Sequence, residues 1–475
     1  MMNKALFLWT DAGRKFCGQK TLLPAGLGRN MIGKGIIDMK PDTRDLSLYV
    51  HIPFCRHKCI YCDFLSFGAS GYDERRQYIS ALCREIEAYQ AVAENYLVQT
   101  IFIGGGTPSY IVADWIAEVM QTIYQVFHVD VNAEITLEGN PDSLKADKLQ
   151  IYRQTGINRL SIGLQSADDN MLKNLGRIHD YDQFIEAYYD ARKAGFDNIN
   201  IDIMSGLPGE TKESYIRTLK RVLDLRPEHI SAYSLIVEEG TLLSENDRLL
   251  ALLPSEEEER ELYAVTKKLL KDSGYNRYEI SNYAKKGFTC RHNIVYWTGG
   301  EYLGVGLGAS SYLAIWLEDG KCEKIRFHGV ENLEEYIGRF LKCDGVREDE
   351  YTNLYHFYEE EAEERLFGDA GADLKQYRDY EKNAFLEFLR DYYNDLYFLK
   401  RKDEIEEFMF LGLRLMKGIS KTEFKERFGA EIESIYGKVM EKYKKSQLLI
   451  EQDDRLFLSD KGIDVSNVVM AEFIL

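Results

Sequence analysis

Six short apolar runs, each followed by an amphipathic stretch, constrain this chain more than any other feature. The runs lie at 48–52, 99–103, 133–137, 158–162, 198–203 and 230–235. Between them, 73–95, 111–127, 143–154, 182–194 and 211–224 carry apolar residues at helical spacing. In the first of these, Tyr78, Leu82, Ile86 and Tyr89 share one face. Strands that alternate with helices form parallel sheets, because a parallel connection needs a long crossover. The rhythm leaves open whether that sheet is doubly wound or curled into a barrel.

The residues just beyond each run are equally informative. Past the first run, Pro53 ends the strand and Cys55, Cys59 and Cys62 lie on the loop. Past the second comes Gly104-Gly105-Gly106-Thr107-Pro108, and past the third Glu138-Gly139-Asn140-Pro141. Gln165-Ser166 comes after the fourth. The fifth contains Asp202 and leads into Gly206-Leu207-Pro208-Gly209, and the sixth carries Tyr233-Ser234-Leu235. Loops at the C-terminal ends of parallel strands converge, so these polar and glycine-rich segments are expected to share one site. Glycine and proline alone would mark only turns. The thiols and carboxylates on the same rim ask for more.

Three thiols within eight residues point to a metal or cluster more than to disulfides. Three is one short of a closed tetrahedral set. An iron–sulfur cluster with one iron left open is one reading, and zinc completed by His51 or His57 is the other. Cys17, Cys83, Cys290, Cys322 and Cys343 are scattered and read as packing or surface residues.

The first 43 residues form a basic extension, with seven Lys or Arg against two Asp over 1–40, and their many glycines hold helix or strand poorly. The rest of the 475-residue chain brings the net charge to −18, which opposes a general nucleic-acid role. No apolar run approaches the ~20 residues of a membrane span, and the leading apolar run is too short for a signal peptide, so a cytoplasmic protein is expected. Residues 44–275 read as the core barrel. Residues 276–343 read as an accessory segment, where glycine on alternate positions of Tyr302–Ala309 would let a backbone or flat ligand approach closely. Residues 344–404 read as an acidic, Tyr-rich helical insertion. Residues 405–475 run helix, helix, two strands, in winged-helix-like order. Lys438, Lys442, Lys444 and Lys445 lie along its second helix, a pattern usually solvated.

The segment from Tyr49-Val50-His51-Ile52-Pro53-Phe54-Cys55 through Cys62 resembles the cluster loop of the radical S-adenosylmethionine superfamily. It is closest to the branch of oxygen-independent coproporphyrinogen III oxidases and HemW-like haem chaperones. The similarity runs from about Leu46 to Leu341 and from about Glu406 to Leu475. It implies a partial (β/α)6 TIM-like barrel, an α/β fold, with a C-terminal α+β domain. It implies a 4Fe–4S cluster on Cys55, Cys59 and Cys62, with S-adenosylmethionine held by Tyr49, Gly105, Gly106, Thr107, Glu138, Gln165, Arg177 and Asp202. The oxidases carry a further cysteine two positions past the third, where this chain has Phe64. His292-Asn293-Ile294-Val295-Tyr296-Trp297, Gly412-Leu413-Arg414-Leu415 and Val465-Ser466-Asn467 match the HemW-type pattern. That branch implies haem as cargo, a haem-accepting protein, and an electron donor where the cluster is reduced. His292 is the haem contact this reading offers. A homodimer and a peripheral membrane contact stay open, and coproporphyrinogen decarboxylation is the competing activity.

Overall fold

The computed structural model describes residues 43–316, 322–341 and 384–475. The basic extension, Cys17, Cys343 and most of the Tyr-rich insertion lie outside them. All six apolar runs are strands: β1 Arg44–Ile52, β2 Tyr96–Gly105, β3 His128–Gly139, β4 Arg159–Gln165, β5 Ile199–Ser205 and β6 His229–Ser234. Each pairs in parallel with the next. The helices between them are α1 Tyr72–Ala88, α2 Ala113–Val126, α3 Ala146–Gln154, α4 Tyr181–Lys193 and α5 Lys212–Leu225, and α6 Glu256–Asp272 comes after β6. The helix read through residue 95 ends at Ala88, and after Tyr89 a separate short helix, Gln90–Ala93, leads toward β2.

Side-chain alternation settles barrel against doubly wound sheet. On β1, Leu46, Leu48, Val50 and Ile52 are buried in the apolar core with Tyr78, Leu82 and Ile86 of α1. The opposite face carries Ser47, Tyr49 and His51. The same split recurs on β5, with Ile199, Ile201 and Ile203 on one face and Asn200 and Asp202 on the other. A doubly wound sheet would have apolar residues on both faces. Here the outer face is apolar throughout while the inner face, Phe102 excepted, is polar, and each outer apolar side chain contributes ~1.5–3 kcal/mol on burial. The inner face is polar and curls around a lumen.

The remaining strands extend this sheet to twelve: β7 Asn276–Arg277, β8 Asn282–Ala284, β9 Tyr302–Val305, β10 Ser310–Trp316, β11 Cys322–His328 and β12 Asn394–Phe398. The order is β12-β11-β10-β9-β1-β2-β3-β4-β5-β6-β8-β7. Between β8 and β9, α7 Arg291–Thr298 packs on the lumen side, its His292 ring stacked on Phe102. The glycine-alternating stretch is not one strand. It leaves β9 at Val305 and turns through Gly306 and Gly308, both at positive φ. The close neighbour is backbone: a Cβ on Gly304 would stand 2.3 Å from the Ser310 carbonyl oxygen.

Past α8 Leu333–Leu341, the described part of the insertion is α9 Ala384–Tyr392 and then β12. The helical reading therefore fails over 394–398, which form an edge strand on β11. The C-terminal unit contains α10 Arg401–Gly412, β13 Ile419–Ser420, α11 Lys421–Phe428, α12 Ile432–Lys445, β14 Leu449–Gln452 and β15 Arg455–Leu458. β15 lies between β13 and β14, and the unit has its own core around Met409, Phe424, Tyr436 and Leu456. Three of the four lysines of α12 are paired within the unit: Lys442 with Glu472, Lys444 with Glu451 and Lys445 with Glu441.

Candidate functional site

The loop after β1 is held at both ends. Phe54 and Cys55 form a two-residue parallel pairing with Phe67 and Gly68. Midway, Ile60 donates its N–H to the Leu175 carbonyl (3.3 Å) and accepts the Leu243 N–H (2.8 Å). Cys55 is buried, while Cys59 and Cys62 are half-buried. Thr107 Oγ1 donates to Cys55 Sγ (3.4 Å), and Arg177 Nη1 donates to Cys59 Sγ (3.5 Å). Burial pushes the Cys55 thiol up and the Cys62 thiol up to about 11. Bare thiolates are therefore costly here, and a bound cation would remove that cost.

His51 does not complete a metal set. Its Nε2–H donates to the Leu65 carbonyl (2.9 Å) and its Nδ1 accepts from Tyr49 Oη (3.0 Å). Burial lowers its pKa to about 4, so the ring is neutral and both nitrogens are committed. His57 is exposed. Among the described residues no three His, Cys, Asp or Glu side chains converge as a single ion requires. A four-iron cluster places each thiolate on a different iron, so three soft thiols, two of them already accepting hydrogen bonds, fit it without a fourth protein ligand.

The strand ends around this loop build two polar groups. In one, the side chains of Gln165, Arg177 and Asn140 converge over Gly163, each with an atom within 3.2 Å of where its Cβ would be. Arg177 Nη2 donates to Asn140 Oδ1 (2.8 Å) and to the Gly163 carbonyl (2.5 Å). Asn140 Nδ2 donates to Thr107 Oγ1 (3.1 Å). Gln165 has φ +69, the left-handed region a non-glycine residue rarely occupies. A register shift in the β4–β5 ladder accompanies it. Such outliers concentrate where a side chain must be aimed.

In the other group, Glu138 and Asp202 are half-buried near each other. Gly105 donates its N–H to Glu138 Oε2 (3.2 Å). Asp202 accepts from Ser161 Oγ (3.0 Å) and Asn200 Nδ2 (2.8 Å). Burial first, and then the Asp202 charge, raise Glu138 to about 8, and burial also raises Asp202. Two carboxyls in this state favour a ligand that brings hydroxyl or ammonium donors. The glycines keep the space open. A Cβ on Gly105, itself at φ +110, would strike the His51 ring at 2.5 Å, and one on Gly106 would meet the Phe54 backbone at 2.9 Å.

The structure thus gathers Cys55, Cys59, Thr107, Arg177 and Gln165 on one side and Gly105, Glu138 and Asp202 on the other, with Tyr49 tied to His51. His292 stands apart from both groups. It is buried deeper in the lumen, where Nδ1 bonds Thr100 Oγ1 (2.8 Å) and Nε2 bonds Tyr296 Oη (2.9 Å). Burial lowers its pKa to about 3, with Arg159 nearby adding to the shift. Both ring nitrogens are therefore hydrogen-bonded within the protein. Asn140 is the residue that sequence reasoning misses. Its position directly after β3, in Glu138-Gly139-Asn140-Pro141, is the one signal that points to it.

Comparison with known proteins identifies the relatives of this chain. The family model for the radical SAM superfamily matches residues 49–222, and that for the HemN C-terminal domain matches 399–465. The haem chaperone HemW of Lactococcus lactis is 31% identical over 430 residues, covering 90% of this chain and 97% of that protein. HemW of Bacillus subtilis is 32% identical over 434 residues, covering 90% and 99%. Among solved structures, the coproporphyrinogen III oxidase HemN of Escherichia coli superposes with a TM-score of 0.70 at 22% identity, covering 91% of each chain. At that identity the likeness is one of fold.

Proposed function

Because the chain belongs to the HemW-like haem-chaperone family of the radical SAM superfamily, we propose that it binds haem and passes it to an acceptor protein. The observation that carries this reading is the end-to-end similarity to HemW proteins over nearly their whole length. Phe64, exposed two residues past Cys62, favours it further, since the oxidase branch has cysteine there. No described helix is long and apolar enough to cross a membrane. On this reading the carrier works in the cytoplasm. The internally paired lysines of α12 and the net charge of −18 oppose nucleic acid as a partner. A haem-accepting protein is the partner this function requires, with an electron donor where the cluster is reduced.

In this proposal Cys55, Cys59 and Cys62 hold a 4Fe–4S cluster, which supplies one-electron chemistry when bound. S-adenosylmethionine occupies the space beside it. Gly105 and Gly106 let its methionyl end approach the backbone, and Arg177, steered by Asn140, supplies a fixed positive charge for its carboxylate. Glu138 and Asp202 accept from its ammonium and ribose hydroxyls, which would draw both carboxyls back toward the ionised form. Tyr49 and Gln165 close the sides, and Thr107 steadies both Cys55 and Asn140.

Anaerobic reconstitution with iron and sulfide, then haem titration and a coproporphyrinogen III assay, tests this function. The expected result is about four irons per chain, stoichiometric haem binding, and no loss of coproporphyrinogen III. Consumption of the porphyrinogen would replace the carrier with the oxidase.

A further inference from the structure

The Arg414 side chain makes no hydrogen bond among the described residues, although its backbone is firmly held. Leu415 forms an antiparallel bridge with Glu279, and Met416 donates its N–H to the Tyr278 carbonyl (3.0 Å). The guanidinium lies 4.3 Å over the Trp297 ring, and the side chain is only 22% exposed. Nε is buried without a partner, and the ion pair to Glu279 Oε2, at 3.8 Å, is too long for a hydrogen bond. Glu279 is engaged elsewhere: its Oε1 accepts the Ser281 N–H (2.9 Å) and Asn282 Nδ2 (2.6 Å), and burial raises its pKa. Arg326, at the same junction of barrel and C-terminal unit, instead grips Glu407 with two bonds. A buried cation with unused donors is costly, and an anionic ligand would satisfy them.

A second unused donor lies against the first. Trp297 Nε1 is buried and has no acceptor. Tyr233, at the end of β6, is 40% exposed and belongs to the same neighbourhood. Burial first, and then the charges of Asp202, Glu279 and Glu138, raise its pKa. Burial lowers the pKa of Arg414, while Glu279 and Tyr233 oppose that shift. These groups therefore stand at the lumen rim on the Glu138–Asp202 side. Arg177 is on the cysteine side, already bonded to Cys59, Asn140 and Gly163. Trp297 and Arg414 come from two stretches, His292–Trp297 and Gly412–Leu415, that lie far apart in the chain and meet only in the fold.

We propose that Arg414 and Trp297 form a carboxylate-binding subsite at the lumen rim, with Tyr233 on its barrel side, and that it holds a propionate of the haem cargo. This rests on the haem-carrier reading and adds a contact from the C-terminal unit. The guanidinium and the indole N–H are both donors, as a carboxylate requires. Stacking on the Trp297 ring orients the guanidinium before the ligand arrives. The two arginines then serve different carboxylates, Arg177 that of the cofactor and Arg414 that of the cargo.

Titration of the reconstituted full-length protein with haem and with haem dimethyl ester, whose propionates are capped, tests the assignment. The variants are Arg414→Met, which keeps an apolar stem over Trp297, and Trp297→Phe, which keeps a ring and removes the N–H. The wild type is expected to bind haem more tightly than the ester by on the order of 10- to 100-fold. Arg414→Met is expected to lower haem affinity to that of the ester, with ester affinity and iron and sulfide content unchanged. Trp297→Phe is expected to lose part of the preference, and Arg414→Lys to keep part of it. An arginine that only joins the two units would weaken both ligands alike when replaced. That result, or a wild type without preference for haem over the ester, would overturn the assignment and leave the carrier function standing. If Arg414→Met does not fold, an unchanged haem-to-ester ratio in Trp297→Phe would overturn it, and a reduced ratio supports it. A wild type that binds neither ligand would overturn the carrier function and this assignment with it.

Discussion

Glu85 of α1 is completely buried, and three groups from distant parts of the chain converge on it. Its Oε2 accepts from the Gly306 N–H (2.7 Å) and Tyr336 Oη (2.5 Å), and its Oε1 from Tyr393 Oη (2.5 Å). Burial raises its pKa from 4.5 to about 7 despite these donors. Below the unfolded pKa both states are protonated and the group adds no pH dependence. As pH rises from 4.5 to 7, the unfolded chain releases the proton while the folded one keeps it, so stability falls across that window and then levels off. The loss is roughly 3 kcal/mol at most. Glu85→Gln is expected to abolish this decline, which urea unfolding on either side of the window would detect. Glu85→Ala strands two buried hydroxyls and is expected to cost roughly 2–5 kcal/mol at either pH. Nothing in the spacing of α1 separates Glu85 from an ordinary surface glutamate, because its partners lie more than 200 residues away.

α7 has no cap of its own. Cys290, at its N-cap, makes no side-chain capping bond. The cap comes from β3: Glu134 Oε2 accepts the Arg291 N–H (3.2 Å) and Glu134 Oε1 accepts the His292 N–H (3.1 Å). Arg291 also donates to the Asn132 carbonyl (2.8 Å) and to Gln99 Oε1 (2.9 Å). A carboxylate at a helix N-terminus satisfies free N–H groups and opposes the helix dipole. Glu134→Ala is expected to destabilise the protein by about 1–3 kcal/mol and Glu134→Gln by less, as read from denaturant midpoints. The HNxxYW stretch is legible as a motif in the sequence, but its role is not. Its histidine reads as a ligand there because sequence cannot reveal that Thr100 and Tyr296 take both ring nitrogens.

Across the whole molecule, the C-terminal unit is pinned to the barrel by charge and by an aromatic face. Arg326 of β11 forms a two-pronged bond to Glu407 of α10, at 2.6 and 3.0 Å. Arg414 lies 4.3 Å over the Trp297 ring of α7 and 3.8 Å from buried Glu279. Both partners of the first pair are largely buried, where such bonds exceed exposed ones in strength. A double-mutant cycle on Arg326→Ala and Glu407→Ala is expected to give a coupling energy of about 1–3 kcal/mol. Limited proteolysis of either variant is expected to release the C-terminal unit sooner than in the wild type. Sequence patterns place α11, α12, β14 and β15 to within a few residues but not α10 or β13, and nothing in them suggests these contacts.

Elements that depend on local pattern are readable from the chain itself. Strand-forming runs, amphipathic helices and the cysteine spacing each occupy fewer than 25 contiguous residues, so the α/β rhythm and the rim of functional loops can be derived in order. Tertiary structure decided what depends on residues far apart. It curled the sheet around a polar lumen, made 394–398 an edge strand by supplying β11 as a partner, and brought Asn140 between Thr107 and Arg177. It also gave both ring nitrogens of His292 hydrogen-bond partners within the protein. The physical reason is common to all of these. A hydrogen-bond partner or a neighbouring surface is a property of position in space, and a one-dimensional pattern carries only the part of it set by residues close in sequence.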